Sequence, residues 1–477
     1  KHDSRRVEAG DLFVAIPAGH GNMRDGAGFV NDALARGAVA VLAQSALDTK
    51  VPVLVADDAL IALAKVSALL CDDPTQKMEA VGITGTNGKT TTAYLVESML
   101  AAAGKRPAVI GTVNFRGPFG TLPATHTTPM ADDLMRIAKL AADSGATHLV
   151  LEVSSHALAM HRADGVHFRV AAFTNLTQDH LDYHGTFASY EASKRRLFTE
   201  LAPAASVVNV DDAAGVRFAA VARGRVLRCS KRVDAAAEVH ALTFSSGRKG
   251  ITARVATPAG ELALQSPLIG EHNVENLLVA VGCGVALGLS PQVMAHALAT
   301  AQGAPGRLER VAHPEDVLVF VDYAHTPDAL SRVLTTLRGS TKGRLLVVFG
   351  CGGDRDPGKR PLMGRASAEI ADLAVVTSDN PRSEQPDAII AQIEQGVRAG
   401  GMPRVEPAAL RGSARGYVVE SDRRAAIKLA LAVAQPGDSV LIAGKGHEKV
   451  QIIGDKQLPF DDCAVAREAI ASLKGAA

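Results

Sequence analysis

An excess of charge of either sign is missing from this chain: 51 Lys and Arg stand against 50 Asp and Glu. Such a balance offers no electrostatic footprint for nucleic acid or for an anionic membrane, and neither is expected as a partner. Paired cysteines are missing as well. Cys71, Cys229, Cys283, Cys351 and Cys463 are odd in number, far apart and without a C-x-x-C spacing. That excludes a disulfide framework and a zinc site from the expectations. No apolar run approaches the ~18 residues of a membrane span. There is no internal repeat, no low-complexity tail and no signal-peptide core. The chain opens Lys-His-Asp-Ser-Arg-Arg without Met, which reads as a trimmed start lacking some first-domain residues. A cytoplasmic monomer is expected.

At 477 residues, about 150 residues per domain suggests three domains. Hydrophobic residues make up 47% and charged ones 21%, as in an ordinary globular enzyme. Short β-branched runs alternate with helical stretches along the whole length, the pattern of parallel α/β sheets. Strands are expected over 12–16, 39–43 and 51–55, then over 79–84, 149–153, 171–175 and 206–210. Further strands are expected over 317–321, 344–349, 373–377 and 439–442. Boundaries near Asp72-Asp73-Pro74 and Gly303-Ala304-Pro305-Gly306 divide the chain into 1–77, 78–305 and 306–477. The expected fold is α/β with three domains. A small α/β N-terminal domain precedes a central P-loop-type parallel sheet, followed by a doubly wound, Rossmann-like C-terminal domain. In such sheets ligands gather beyond the carboxyl ends of the strands.

Gly85-Thr86-Asn87-Gly88-Lys89-Thr90-Thr91 follows one expected strand end and opens a helix expected over 91–103. Backbone N–H groups of such a loop can cradle phosphate, Lys89 adds a point charge, and Thr90 offers a hydroxyl to Mg²⁺. The general P-loop pattern requires Gly where Ile83 stands, so the match is partial. Glu152 closes the 149–153 strand, which suits either a Mg²⁺ ligand or a helix-capping or surface acid. In a helix expected over 187–201, apolar residues fall at 187, 190, 197, 198 and 201. Helical spacing sets Lys194 in the middle of that stripe, where a cation is costly unless paired or chemically changed.

The form Gly-Thr-Asn-Gly-Lys-Thr-Thr resembles the loop of the Mur ligase family and of the related folylpolyglutamate synthetases, and the resemblance runs the full length. It implies that Gly85, Thr86, Asn87, Gly88, Lys89, Thr90 and Thr91 bind ATP. It implies too that Thr90 and Glu152 hold Mg²⁺. The segment Ser189-Tyr190-Glu191-Ala192-Ser193-Lys194 is similar to the family's stretch whose lysine is carbamylated by CO₂. Lys194 as a carbamate would hold a second Mg²⁺. Asn175-Leu176-Thr177-Gln178-Asp179-His180 and Asp322-Tyr323-Ala324-His325 resemble phosphate-side segments of the family. His180 and His325 are then expected beside Lys89 and Lys194 in catalysis, and Asp322 with ATP. Asn273, Asn276 and Arg307 are similar to its adenine-side and interdomain ATP contacts.

The family resemblance also implies the other substrates. Ser4, His20, Gly21, Asn22, His126, Thr127, Thr128, Ser154, Met160 and Arg162 fall where the family grips a UDP-muramoyl-peptide. Met160 stands where Gln is usual, and His126 where Asn is common. Asp379-Asn380-Pro381-Arg382 is the form associated with meso-diaminopimelate, and lysine-adding relatives lack this Arg. Arg355, Gly444 and Glu448 resemble further contacts for the same amino acid. A guanidinium matches the second carboxylate that distinguishes diaminopimelate from lysine. The expected activity is ATP-dependent ligation of meso-diaminopimelate to UDP-MurNAc-L-Ala-D-Glu through an acyl phosphate. A lysine-adding ligase, a folylpolyglutamate synthetase-like ligase and a nucleotide-gated binding module remain as alternatives. The Gly/Arg/Pro-rich stretch 400–420 is expected to be a surface loop.

Overall fold

The computed structural model describes residues 1–19, 24–233 and 235–474. The expected substrate contacts His20, Gly21 and Asn22 lie outside the described residues. The fold is α/β, and its contacts form two compact units. One comprises 1–244, 253–265 and 274–301; the other comprises 245–252, 266–273 and 302–477.

The first unit starts with a small parallel sheet of Leu12–Val14, Ala40–Ala43 and Val53–Val55, in that order. Asp58 caps the following helix, Ala59–Leu70, by accepting from the N–H groups of Leu60 and Ile61. That helix sets Leu60, Leu63 and Ala64 against Val14, Ile16 and Leu42, and Met130, Ala131 and Met160 complete the cluster. Each large aliphatic buried there contributes ~1.5–3 kcal/mol, so the small sheet and the larger one beside it share a hydrophobic joint.

The larger sheet has eleven strands. From one edge they run Gly260–Ser266, Gly250–Thr257, Val239–Gly247, Arg225–Ser230, Ala205–Asn209, Phe168–Phe173, Glu79–Thr84, His148–Glu152, Pro107–Ile110, Asn114–Gly117 and Gly120–Pro123. The central strands pair in parallel. Their sequences are continuous apolar runs, such as Ala80, Val81 and Ile83 or Leu149, Val150 and Leu151, all buried. That is the composition a strand needs when helices cover both faces. The antiparallel edge pair Asn114–Gly117 and Gly120–Pro123 was not anticipated. Gly120–Pro123 is exposed and Asn114–Gly117 buries only Phe115, so these short Gly-containing sequences carry no hydrophobic alternation to reveal the pair.

In the second unit a six-stranded sheet runs Glu309–Val311, Leu318–Asp322, Ser439–Ala443, Leu345–Phe349, Leu373–Val376, Gly416–Val419. Every pairing is parallel except the first. Alternation along one strand builds two cores: Leu318 and Phe320 face Leu330 and Leu334, while Val319 and Val321 face Ala426 and Ile427. This is the doubly wound layout. The stretch 400–420 departs from expectation. Gly416–Val419 forms the edge strand, with Tyr417 and Leu410 fully buried. The distant strand Leu373–Val376 pairs with it along its length, and Tyr417 also bonds back to Pro403 and Val405; local composition carries no trace of the long-range pairing.

Candidate active site

The strand Glu79–Thr84 ends in the glycine loop, and helix Lys89–Ala102 begins directly after it. Gly85 has φ +148° and Gly88 φ +86°. A Cβ on Gly85 would fall 1.9 Å from Thr174 Oγ1, and one on Gly88 would fall 2.2 Å from Asn276 Oδ1. Both positions therefore admit only glycine. Ile83 is a fully buried strand residue in register with Glu152 and Ala172. It lies before the turn, so no left-handed conformation is needed there. The loop is clamped from the next strand end. Asn87 N–H donates to Asn175 Oδ1 at 3.0 Å, and Asn175 Nδ2 donates to Asn87 O at 3.1 Å. Thr174 Oγ1 donates to Asn87 O at 2.6 Å. The open helix N-terminus behind this clamp is a ready anion site.

Two lysines converge on one carbonyl. Lys89 Nζ donates to Gly85 O at 2.8 Å and to Thr86 O at 3.0 Å. Lys194 Nζ donates to the same Gly85 O at 2.9 Å. Lys194 is 1% exposed and shares its helix face, in Phe187–Thr199, with Tyr190, Leu197 and Phe198. Phe187 is 40% exposed, so the apolar stripe is shorter than the sequence implied. Burial first, and then the positive charge of Lys89, holds the Lys194 amine well below its ordinary pKa, against a weaker opposing pull from Asp179.

Glu152, 1% exposed, ends the strand His148–Glu152. Its Oε2 accepts from Thr90 Oγ1 at 2.8 Å and Thr112 Oγ1 at 3.0 Å, and its Oε1 from Thr112 N–H at 2.9 Å. A Cβ on Gly111 would lie 2.1 Å from Oε1. Glu152 is thus neither a helix cap nor a surface acid. Thr128 Oγ1 donates to Glu152 O at 2.7 Å and accepts from Ser154 N–H at 3.1 Å. Arg162 donates to Thr128 O at 2.9 Å and to Met160 Sδ at 3.1 Å. Thr127 Oγ1 lies 3.1 Å from Thr112 Oγ1. Ser154 caps the helix Ser155–Ala159. His126 is exposed, and Ser4 is buried in the first turn of the chain.

Sequence reasoning missed Thr112 and a ring cluster around His180. His156 lies 4.8 Å from His180 and 4.2 Å from Tyr183, centroid to centroid. His184 Nε2 is 3.0 Å from Ser155 Oγ. Burial, followed by the neighbouring histidines, lowers the His156 pKa to about 4, so its ring is neutral at pH 7. The one available signal was the density of histidines in 156–184.

In the second unit Asp322 ends the strand Leu318–Asp322. Burial pushes its carboxyl pKa up, and its oxygens accept from Leu308 N–H at 2.7 Å and Ala324 N–H at 2.8 Å. The Arg307 guanidinium sits 5.1 Å from the Tyr323 ring, which contacts His325 at 4.6 Å. His325 Nδ1 donates to Tyr323 O at 2.8 Å. Asn273 Nδ2 donates to Ile269 O at 2.8 Å.

The Asp379–Arg382 turn follows the strand Leu373–Val376. Arg382 has φ +51° and is pinned by its N–H to Ile452 O at 3.1 Å, by Gly454 N–H to its own carbonyl at 2.8 Å, and by one guanidinium N–H to Gly353 O at 2.8 Å. Asn380 Nδ2 donates to Glu448 Oε2 at 2.9 Å. Pro381 O closes against Gly353, where a Cβ would stand 1.9 Å away. Gly444 has φ +119° and faces the Asp379 carboxylate. Arg355 is exposed and donates to Asp354 O at 3.0 Å. Arg355, Asn380, Arg382 and Glu448 thus belong to one neighbourhood at the carboxyl end of the sheet, together with Lys445, which the sequence reading passed over.

Residues 83–284 match the Mur ligase middle domain, and residues 306–446 match the Mur ligase glutamate ligase domain. A UDP-N-acetylmuramoyl-L-alanyl-D-glutamate–2,6-diaminopimelate ligase of Geobacter metallireducens is 46% identical over 96% of this chain and 91% of its own. The enzyme of the same name from Geobacillus kaustophilus is 41% identical over 98% and 94%. A solved structure of a ligase of this name superposes with a TM-score of 0.73 at 35% identity, covering 99% of this chain and 94% of the other. Mycobacterium tuberculosis folylpolyglutamate synthase complexed with ADP shares the fold at 21% identity and a TM-score of 0.60, over 80% and 91%.

Proposed function

The chain belongs to the Mur ligase family, and from that premise we propose that it joins meso-diaminopimelate to UDP-MurNAc-L-Ala-D-Glu at the expense of ATP, in cytoplasmic peptidoglycan precursor synthesis. The observation that carries the choice of amino acid is the Asp379–Arg382 turn, which fixes the Arg382 guanidinium on Gly353 O while Asn380, two residues before it, holds Glu448. The division at about residues 77 and 305 into three domains is part of the same proposal.

The loop amides of 85–91 and Lys89 receive the phosphates of ATP. Thr90 and Glu152 present hydroxyl and carboxylate oxygens, the donor chemistry that suits a hard cation. Mg²⁺ held there would supply charge that offsets the transferring phosphoryl group. Ser4, His126, Thr127, Thr128, Ser154, Met160 and Arg162 hold the UDP-muramoyl-peptide. The free glutamyl carboxylate takes the γ-phosphoryl group and becomes an acyl phosphate. An amine of diaminopimelate then attacks that carbonyl, and inorganic phosphate leaves. Positioning carries most of the rate, and no side chain is needed as nucleophile.

The convergence of Lys89 and Lys194 on Gly85 O favours a neutral Lys194, since two ammonium groups on one oxygen repel. Only a neutral amine reacts with CO₂, and the carbamate formed is an anion suited to a second Mg²⁺. In enzyme equilibrated with ¹³C-bicarbonate, a carbamate carbon signal is expected that Lys194→Ala lacks, along with a kcat lower by about 100-fold or more. A free amine at Lys194 in fully active enzyme overturns the assignment.

The function itself is tested by an ATP-dependent ligation assay with UDP-MurNAc-L-Ala-D-Glu, offering diaminopimelate and lysine in competition. Diaminopimelate is expected to win by a factor on the order of 10⁴ in kcat/KM. Equal use of lysine, or phosphate release that needs neither substrate, rejects the proposal.

A further inference from the structure

Lys445 is a buried cation whose side chain is 0% exposed, one residue beyond Gly444. Its Nζ donates to Asn380 Oδ1 at 2.8 Å, and lies 3.4 Å from Asp379 Oδ1 and 3.5 Å from Glu448 Oε2. It therefore touches three of the residues to which diaminopimelate recognition is assigned. No surface role is open to a side chain so enclosed, and its desolvation is offset only by those partners.

The consequence for Asn380 is geometric. Its Oδ1 accepts both from Lys445 and from Ile452 N–H at 3.0 Å. Rotating the amide by half a turn would set its NH₂ group against an ammonium and a backbone N–H, donor against donor. The side chain is thus locked in one orientation. In that orientation one Nδ2 hydrogen goes to Glu448 Oε2, and the second remains for a ligand. Lys445 and Asn380 both engage Oε2 of Glu448, which fixes the orientation of the carboxylate. An amide N–H beside a carboxylate oxygen is the complement of an amino-acid head, whose carboxylate accepts and whose ammonium donates.

We propose that Lys445 is the positioning residue of the amino-acid site, setting the amide of Asn380 and the anionic carboxylate of Glu448 for the carboxylate and ammonium of the incoming diaminopimelate. The inference rests on the diaminopimelate reading of this turn. Besides Lys445, the charged and titratable groups that act on Glu448 are Arg423, His447 and Tyr323, with Asp379 sharing the Lys445 ammonium. Lys445 is the one cation in hydrogen-bonding range of Glu448 among the described residues. Removing it leaves the Asp379 and Glu448 carboxylates without the cation they share.

Steady-state kinetics of Lys445→Met with diaminopimelate varied, at saturating ATP and UDP-dipeptide, test the inference. The KM for diaminopimelate is expected to rise about 30-fold or more, with kcat and the KM for ATP within about 3-fold. A diaminopimelate KM within about 3-fold of wild type, or an ATP KM that rises in parallel, overturns it. Should the methionine variant not fold, Lys445→Gln decides, since it keeps one donor and loses the charge. The same split, smaller in size, is expected, and no change or a joint change in both KM values overturns it. Wild-type enzyme assayed alongside separates the two readings. If wild type ligates no diaminopimelate, the assignment of the turn falls; if wild type does and the variants behave like it, only the role of Lys445 falls.

Discussion

A Lys89→Ala variant is expected to lose about 10³-fold in kcat, the scale of removing one preorganised charge from a transition state, while melting within a few degrees of wild type. The small thermal effect follows from the shared carbonyl. Lys194 still donates to Gly85 O at 2.9 Å, and the Asn87–Asn175 and Thr174–Asn87 bonds still clamp the loop. The large kinetic effect follows from position. Lys89 is the first residue of the helix that opens on the loop, so its charge adds to that of the N-terminal N–H groups. A second consequence is less direct. The charge of Lys89 is one of the causes that hold the Lys194 amine below its ordinary pKa. Without it the Lys194 pKa rises, the neutral share of the amine falls at a given pH, and less of it is open to CO₂. The ¹³C carbamate signal should weaken in Lys89→Ala even though Lys194 is untouched, and should recover as the pH is raised. A kcat within 10-fold of wild type would remove Lys89 from the phosphate chemistry, and an unchanged carbamate signal would uncouple the two lysines.

The parallel strands were legible in the sequence because burial on both faces forces unbroken apolar runs, and Glu79–Thr84 was expected with its observed bounds. Lys194 was legible for the converse reason: a lysine inside an apolar helical stripe has to be explained, and the structure buries it. What stayed hidden depended on distant partners. Thr112 is an unremarked residue in the sequence, and only the fold brings it to Glu152, 40 positions away. Lys445 sits 65 positions from Asn380, and nothing in its local Gly-Lys-Gly-His-Glu run points to that partner. Tyr417 and its edge strand became visible only through pairing with Leu373–Val376. Local pattern reveals which face an element buries; it does not reveal which loop residue meets which across a sheet end.

Arg382→Ala is expected to abolish the preference for diaminopimelate over lysine, from a factor on the order of 10⁴ to about 10 or less. Nearly all of that loss should appear in kcat/KM for diaminopimelate rather than as a gain for lysine. One guanidinium N–H is spent on Gly353 O, which leaves most of the five donors of the fork for a carboxylate. Lysine has no such group, so its binding never drew on them. The backbone supplies a control that separates recognition from folding. Arg382 stands at φ +51°, a conformation that costs a residue with a Cβ about 1 kcal/mol or more. Alanine inherits that strain, so Arg382→Ala should gain no stability. Glycine is free of it, so Arg382→Gly should melt at or above the wild-type temperature while losing the same discrimination. Arg382→Lys keeps a charge but not the planar fork, and should fall between wild type and alanine. An alanine variant that still prefers diaminopimelate by more than about 10³ would leave the ligase assignment standing and transfer the specificity to Arg355 or to the Asn380–Lys445–Glu448 group.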